Sequence, residues 1–229
     1  MEFETFTLAA ATADLAEEPA ARGFADCVEF RMDLATEPDT QLAAYDGELP
    51  LLVTNRADWD GGAATDEGRL DALEGAIEHD AVGAVDIELA ALEGEYGDDE
   101  AARALAERAA ERGVSVVVST HDFERTPPRS ELKRRLHTAT TYGDVGKLAV
   151  TANDRGDALS LLSVTHELTQ EGKPVATMAM GKAGSHTRAV APVYGSKIGY
   201  APIDPEKATA PGQYDLETLR QLVDRLISR

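Results

Sequence analysis

The chain has 229 residues, which is enough for one large domain with a substantial hydrophobic core. It carries 42 Asp and Glu residues against 22 Lys and Arg residues, for a formal net charge of −20. This balance opposes binding to nucleic acid and to anionic membranes, because no basic face is available to neutralise phosphates.

Short apolar runs alternate with helical patterns along the whole chain. The apolar runs predict strands at 6–9, 27–32, 51–54, 84–88, 114–119, 145–150, 174–180 and 196–200. An alanine-rich helix ending near Gly23 is predicted after the first run, and helical spacing predicts further helices at 36–45, 65–77, 98–112, 130–141, 154–170, 187–191 and 215–228.

About eight β-α units in a chain of this length fit a single (β/α)8 barrel, a TIM barrel, over residues 1–229. The alternative is an open, doubly wound α/β sheet. That alternative loses its usual support because no glycine-rich dinucleotide fingerprint follows the first strand.

The sixth predicted strand has a lysine in its middle, Lys147, between Val145 and Val150. An ammonium held among apolar neighbours loses hydration, so we expect its pKa to fall toward neutrality. A neutral amine can attack a ketone and form a Schiff base. For a lone lysine, the ordinary alternative is a core residue paired with a carboxylate.

Polar side chains cluster near the ends of other predicted strands, where a barrel of this class carries its chemistry. Glu29 and Arg31 alternate in the second strand and so point to the same side, although a structural ion pair explains them equally well. Arg56 follows the third strand. His121 follows the fifth and is a candidate acid or base, because small environmental changes move the pKa of histidine across neutrality.

A glycine-rich loop follows the seventh strand and leads to Arg188 at the start of a short helix. An arginine fork near backbone amides suits a carboxylate or a phosphate, although a plain turn also explains the glycines. The last loop, from Thr209 to Gln213, carries polar residues that could close over a ligand.

The remaining sequence features concern the compartment. Cys27 is the single cysteine, so neither an intrachain disulfide nor a cysteine-rich metal site is expected. Residues 1–4 lack the features of a secretory signal, and no apolar run approaches membrane-spanning length, so we expect a cytoplasmic protein. The acidic residues are spread along the chain, which favours a halophilic source over an ordinary acidic cytosolic protein.

Taken together and in chain order, these motifs resemble the type I 3-dehydroquinate dehydratases, the Schiff-base enzymes of the shikimate pathway. The resemblance covers nearly the whole chain. It rests on the segments 29–31, 54–56, 85–88, 119–123, 147–149, 180–181, 195–196 and 210–213 together with Arg188.

The resemblance implies a (β/α)8 barrel that dehydrates 3-dehydroquinate to 3-dehydroshikimate without a metal or organic cofactor, usually as a homodimer. It implies that Lys147 forms the imine and that His121 transfers protons. The substrate-binding residues that it implies are Glu29, Arg31 and Arg56 around the ring hydroxyls, Arg188 and Gln213 on the carboxylate, and Thr209 in the last loop.

Some positions depart from the commoner family pattern. Asp60 stands where many members have a glutamate that orients the histidine, so its direct contact with His121 is an open question. Thr187 and Thr209 replace serines and keep the hydroxyl.

Two other functions are compatible with the motifs. A class I aldolase also uses a strand lysine in a barrel, but its substrates usually bear phosphate, and no obvious phosphate loop follows the last strands here. A non-catalytic barrel that binds a small acid is the second alternative.

Overall fold

The computed structural model describes residues 1–204, 206 and 212–227. Within these residues, eight strands form one parallel sheet in the order β7-β6-β5-β4-β3-β2-β1-β8. The strands are β1 Thr7–Thr12, β2 Cys27–Arg31, β3 Leu51–Thr54, β4 Val82–Glu88, β5 Ser115–Asp122, β6 Val145–Thr151, β7 Val175–Met180 and β8 Ile198–Pro202.

The two end strands of this sheet, β7 and β8, also contact each other. Next to β8, the backbone N–H of Lys197 donates to the carbonyl oxygen of Val175 at 2.8 Å. The sheet therefore curls into a nearly closed barrel, and the predicted (β/α)8 architecture is confirmed.

Helices connect the successive strands, as the alternating pattern predicted. The α-helices are α1 Pro38–Ala43, α2 Arg69–Ala76, α3 Leu89–Leu92, α4 Asp99–Glu111, α5 Arg129–Tyr142, α6 Arg155–Gln170, α7 Gly181–Gly184, α8 Thr187–Val190 and α9 Leu216–Ile227. Short 3₁₀ helices lie at Leu15–Ala20, Met32–Leu34, Asp58–Asp60 and Ala191–Tyr194. In the described part of the chain, no helix combines the length and apolar character that a membrane crossing requires.

The alanine-rich helix predicted after the first strand is wrong. The alanines 9–11 belong to β1, where they pair with β2 and β8. The next element is a 3₁₀ helix with Pro19 inside it, capped by the Asp14 carboxylate, which accepts from the Ala16 N–H. Small side chains fit the crowded barrel wall, so tertiary packing overrides the helical propensity of alanine.

Two further boundaries differ from the prediction. Helix α2 begins at Arg69 rather than at residue 65, because Gly68 before it has a left-handed φ of 71°. The eighth strand begins at Ile198 rather than at residue 196, because the Ser196 hydroxyl, not its backbone, accepts from the N–H of Thr177.

Strand alternation separates two sets of core residues. Side chains such as Phe30, Val85 and Leu148 are fully buried on the outer face of the strands, under the helices. Toward the amino-terminal ends of the strands, the inner set is apolar and includes Cys27, Leu52, Ala84 and Val117. Two residues further along these four strands, the inner positions become polar: Glu29, Thr54, Asp86 and Ser119. The candidate site therefore lies inside the barrel, toward the carboxyl ends of its strands.

Candidate active site

A pocket of about 620 Å³, including the open space at its mouth, lies at the carboxyl end of the barrel. It contains seven of the eight residues that the sequence indicated for the site: Glu29, Arg31, Arg56, His121, Lys147, Arg188 and Gln213. The eighth, Thr209, lies outside the described residues. The pocket is completed by Thr54, Asp60, Gly61, Phe123, Ala149, Met178, Met180 and Tyr200.

Lys147 lies in the middle of β6 with only 6% of its side chain exposed. Its Nζ donates to Asp86 Oδ2 at 2.9 Å and lies 3.9 Å from Glu29 Oε1. The nitrogen also lies over the ring of Tyr200, 4.3 Å from the centroid. The apolar environment expected from the neighbouring sequence is therefore wrong, because Leu148 faces the other side of the strand and the residues across the barrel are acidic.

Asp86 is the hub of the buried polar network. Its Oδ1 accepts from Arg56 at 2.8 Å and from the Ser119 hydroxyl at 2.6 Å, while its Oδ2 accepts from Lys147. Burial alone would raise the pKa of this carboxyl, but the nearby Arg56 and Lys147 lower it well below its usual range. Asp86 is therefore a permanent negative charge beside the lysine.

Arg56 joins three carboxylates in the network. Besides Asp86, its guanidinium lies 3.2 Å from Asp60 Oδ2 and 3.2 Å from Glu88 Oε1. Burial alone would lower the pKa of Arg56, but Asp86, Glu88 and Asp60 raise it. The arginine thus stays charged, and its charge offsets the repulsion among the acids around it.

His121 contacts Asp60 directly, which answers the question left open by the shorter side chain. The distance from His121 Nδ1 to Asp60 Oδ2 is 2.8 Å. An ionised carboxylate only accepts hydrogen bonds, so Nδ1 carries the proton and Nε2 is left as the basic nitrogen. Burial, then the charge of Arg56, lowers the pKa of His121 against the opposing effect of Asp60, so the imidazole is neutral at neutral pH.

The position of His121 depends on strand pairing and on an aromatic contact. Strand β5 extends to Asp122, beyond the predicted end at residue 119, because His121 still pairs with Ala149 in β6. The imidazole stacks on the Phe123 ring at a centroid distance of 5.5 Å. Phe123 also passes so close to Gly61, which has a φ of 79°, that a Cβ there would overlap the ring.

Arg188 is buried at the pocket, in the one-turn helix α8 that follows β7. Its Nε has no hydrogen-bond partner among the residues that the structure describes. Burial lowers the pKa of Arg188 to about 10, so the side chain is still charged at neutral pH. A desolvated guanidinium that faces a pocket is suited to an anionic group of a ligand.

Glu29 and Arg31 both line the pocket, but they do not pair with each other. Glu29 Oε1 accepts from the Thr54 hydroxyl at 3.1 Å. Arg31 donates twice to Asp33, at 2.8 and 2.7 Å. In residues 1–204, 206 and 212–227, no group of three or more His, Cys, Asp or Glu side chains is arranged to hold a metal ion.

The candidate set from the sequence omits several residues of the site, among them Asp86, which contacts Lys147 from beneath the pocket lining. The alternation of Asp86 and Glu88 in the fourth strand was visible and was the available signal for Asp86. Phe123 lies two residues after His121 in the segment 119–123, whereas Met178 and Tyr200 have no chemistry-bearing pattern of their own. Strand pairing with Ala149 brings Met178 to the pocket, and barrel closure brings Tyr200 to Lys147.

The chain is similar to known proteins both in sequence and in fold. The sequence profile of the family described as type I 3-dehydroquinase matches residues 5–227. The chain is 64% identical over 229 residues to the 3-dehydroquinate dehydratase of Haloarcula marismortui, covering 100% of this chain and 99% of that protein. It is 54% identical over 226 residues to that of Halobacterium salinarum, with 97% and 98% covered. Both organisms are halophilic archaea, which agrees with the source expected from the acidic composition.

Two crystal structures have the same architecture. The 3-dehydroquinate dehydratase of Geobacillus kaustophilus HTA426 superposes with a TM-score of 0.84 at 28% identity, covering 99% of this chain and 93% of that one. The enzyme of Aquifex aeolicus VF5 superposes with a TM-score of 0.83 at 26% identity, covering 98% and 100%.

Proposed function

The chain belongs to the type I 3-dehydroquinase family, and on that premise we propose that it dehydrates 3-dehydroquinate to 3-dehydroshikimate through an imine on Lys147. The observation that carries this proposal is one pocket lined by the Lys147 amine, the His121 imidazole and the Arg188 guanidinium. This set supplies a nucleophile, a base and a site for an anion. The scheme needs only water and the side chains of the pocket.

Imine formation turns the substrate ketone into an electron sink. The Lys147 ammonium gives up a proton to water, and the neutral amine attacks the carbonyl carbon. The hydroxyl of the adduct takes a proton back from water and leaves as water, so that a protonated imine remains. A proton on the neighbouring carbon is more acidic beside this cation than beside a ketone, because its electron pair can move to nitrogen.

His121 then carries the proton transfers. Its neutral Nε2 takes the proton from the carbon next to the imine, which gives an enamine. The enamine expels the hydroxyl from the following carbon, and the protonated His121 supplies the proton with which this group leaves as water. A further water hydrolyses the imine, releases the product and restores Lys147.

Arg188 and Gln213 hold the substrate carboxylate in this proposal. The support is the buried, charged state of Arg188 and the presence of both side chains in the lining of the pocket. A fixed carboxylate orients the ring and presents the reacting proton to His121, which lowers the barrier by positioning. The hydroxyl of Thr209 belongs to the same proposed set.

Glu29, Arg31 and Arg56 are proposed to surround the ring hydroxyls. Arg56 is already engaged by Asp86 and Asp60, so its effect on the substrate is mainly electrostatic. Arg31 is held by Asp33 and keeps a fixed orientation at the pocket. A homodimer and a cytoplasmic location remain predictions; sedimentation equilibrium in high KCl measures the first.

The test is reduction with borohydride in the presence of 3-dehydroquinate, followed by mass spectrometry. We expect one adduct on Lys147, and we expect Lys147→Ala to abolish both the adduct and the absorbance of the conjugated product. Lys182→Ala is the matched control, because Lys182 is exposed on the segment after β7 and should leave both unchanged. An adduct on another lysine, or retro-aldol cleavage of a sugar phosphate in place of dehydration, would refute the proposal.

A further inference from the structure

Tyr200 makes a contact with the reacting nitrogen that the proposed reaction scheme does not use. It lies in β8, and its side chain points into the barrel with the inner core residues. Lys147 Nζ lies over the face of its ring, 4.3 Å from the centroid. At this distance, the negative face of an aromatic ring attracts a cation, and it does so most strongly where water is excluded.

We propose that the ring face of Tyr200 stabilises the positive charge on the Lys147 nitrogen, first as the ammonium and then as the protonated imine. The part of this inference that concerns the protonated imine rests on the proposed function of Lys147. The part that concerns the ammonium of the free enzyme rests only on the contact between the nitrogen and the ring.

The number of N–H donors explains why a ring is useful at this position. The ammonium has three N–H groups, of which one donates to Asp86 at 2.9 Å, while Glu29 lies 3.9 Å away. The protonated imine keeps only one N–H, so the hydrogen bonds that stabilise the charge become fewer as the reaction proceeds. Attraction to an aromatic face needs no N–H directed at an acceptor, and therefore it persists through this change.

The ring, and not the hydroxyl, is the part of Tyr200 on which this role depends. The hydroxyl is buried and has no hydrogen-bond partner among the described residues. Burial, with Glu29 and Asp86 nearby, raises the pKa of the phenol well above its usual value, so the ring carries no negative charge of its own. The ring is held instead by packing in the inner core and by the pairing of its backbone with Ala9 in β1.

The experiment varies the electron density of the ring at nearly constant volume. Tyr200→Phe keeps the ring face, and phenylalanines with one, two and three ring fluorines placed at position 200 weaken its negative face stepwise. The first measurement is the fraction of Lys147 trapped by borohydride at saturating 3-dehydroquinate and fixed pH. The second is the pH dependence of Lys147 modification by an amine-directed reagent without substrate.

We expect Tyr200→Phe to match the wild type within about twofold in both measurements. Across the fluorine series, we expect the trapped fraction to stay within about twofold, because a weaker ring face raises the free energies of the ammonium and of the protonated imine alike. Modification of free Lys147 should begin at a pH lower by about one unit, because a weaker ring face lets the ammonium lose its proton more readily. The other charged or titratable groups around Lys147 are unchanged across the series: Glu29 on β2, Arg56 after β3, Asp86 on β4 and His121 on β5.

The outcomes separate this inference from the proposed function. If wild-type Lys147 forms no adduct, the imine proposal fails, and the pH dependence of the free amine still tests the ring. If the onset pH of Lys147 modification is flat across the fluorine series, the ring contributes only volume and the inference is overturned. If that onset shifts but the trapped fraction rises by about tenfold, the ring stabilises the ammonium alone and its role toward the imine is refuted. Melting temperatures within the series control for packing, because a purely structural role would change them without a trend in the pH dependence.

Discussion

Replacing Asp86 by asparagine should destabilise the folded protein more than the corresponding substitution at any exposed acidic residue of this chain. Asp86 is 1% exposed, and its carboxylate accepts from Arg56, Ser119 and Lys147 at 2.6 to 2.9 Å. Asparagine has the same shape, so packing is kept. The substitution removes the negative charge and turns one acceptor into an N–H donor that faces a cation, either Arg56 or Lys147.

The magnitude can be worked from the two buried cations. At an effective dielectric constant of ~20, a pair of unit charges ~4 Å apart attracts by about 4 kcal/mol, and both Arg56 and Lys147 lie closer than that. Asparagine also removes the desolvation cost of the buried carboxylate, and this gain offsets part of the lost attraction. Breaking a buried ion pair typically costs ~3–5 kcal/mol, and for a chain of this size that cost lowers the melting temperature by roughly 6–20 °C.

The pH dependence gives a second, independent signature of Asp86. Its pKa is lowered in the folded state, so its contribution to stability is present above the unfolded value of ~3.9 and is lost as pH falls toward the folded value. The wild type should therefore lose stability on acidification below about pH 4. Asp86→Asn should lose less over the same interval, because the group that titrates is gone.

The assay is thermal unfolding by circular dichroism at constant high KCl, from pH 7 down to pH 3. Asp224→Asn is the matched control, because Asp224 is half exposed and lies 3.6 Å from Arg220, and an exposed pair contributes only ~0–1 kcal/mol. Equal melting temperatures for Asp86→Asn and Asp224→Asn at pH 7 would refute the electrostatic account of the network.

Three further predictions concern the base, the anion site and the surface. Asp60→Asn should move the acid limb of the kcat/KM profile to lower pH by about one unit, because the Asp60 charge favours protonated His121. If the acid limb does not move, Asp60 does not control the protonation of His121. Arg188→Leu should raise KM for 3-dehydroquinate by roughly 30-fold or more, because the guanidinium that would bind the carboxylate is lost. The melting temperature should stay equal or rise, because a desolvated charge is removed. A lower melting temperature with unchanged KM in steady-state kinetics would show that Arg188 has a structural role only. The melting temperature should rise with KCl, because repulsion at a net charge of −20 is screened as the Debye length falls from ~30 Å at 0.01 M to ~3 Å at 1 M, and a melting temperature unchanged across that range would contradict halophilic adaptation.

The barrel and most of the residues that line its pocket could be predicted from the sequence because both depend on local patterns. Apolar runs, helical spacing and a terminating glycine such as Gly113 are properties of neighbouring residues. Polar residues at the carboxyl ends of strands, such as Glu29 and His121, indicated the site because a barrel brings those ends to one face. The failures were local ambiguities, as at residues 9–11, where alanine suits both a helix and a crowded barrel wall.

The residues that lie across the barrel from one another were decided only by the tertiary structure. Lys147 and Asp86 are 61 residues apart in the chain, and so are His121 and Asp60, yet both pairs are in direct contact. The contacts of the Lys147 amine come from β2, β4 and β8 rather than from its own strand. Strand register and barrel closure determine which side chains meet, and a one-residue shift in register would turn each of them to the other face. The sequence thus determined which residue types are present at the strand ends, whereas the closed barrel determined which of them act on one another.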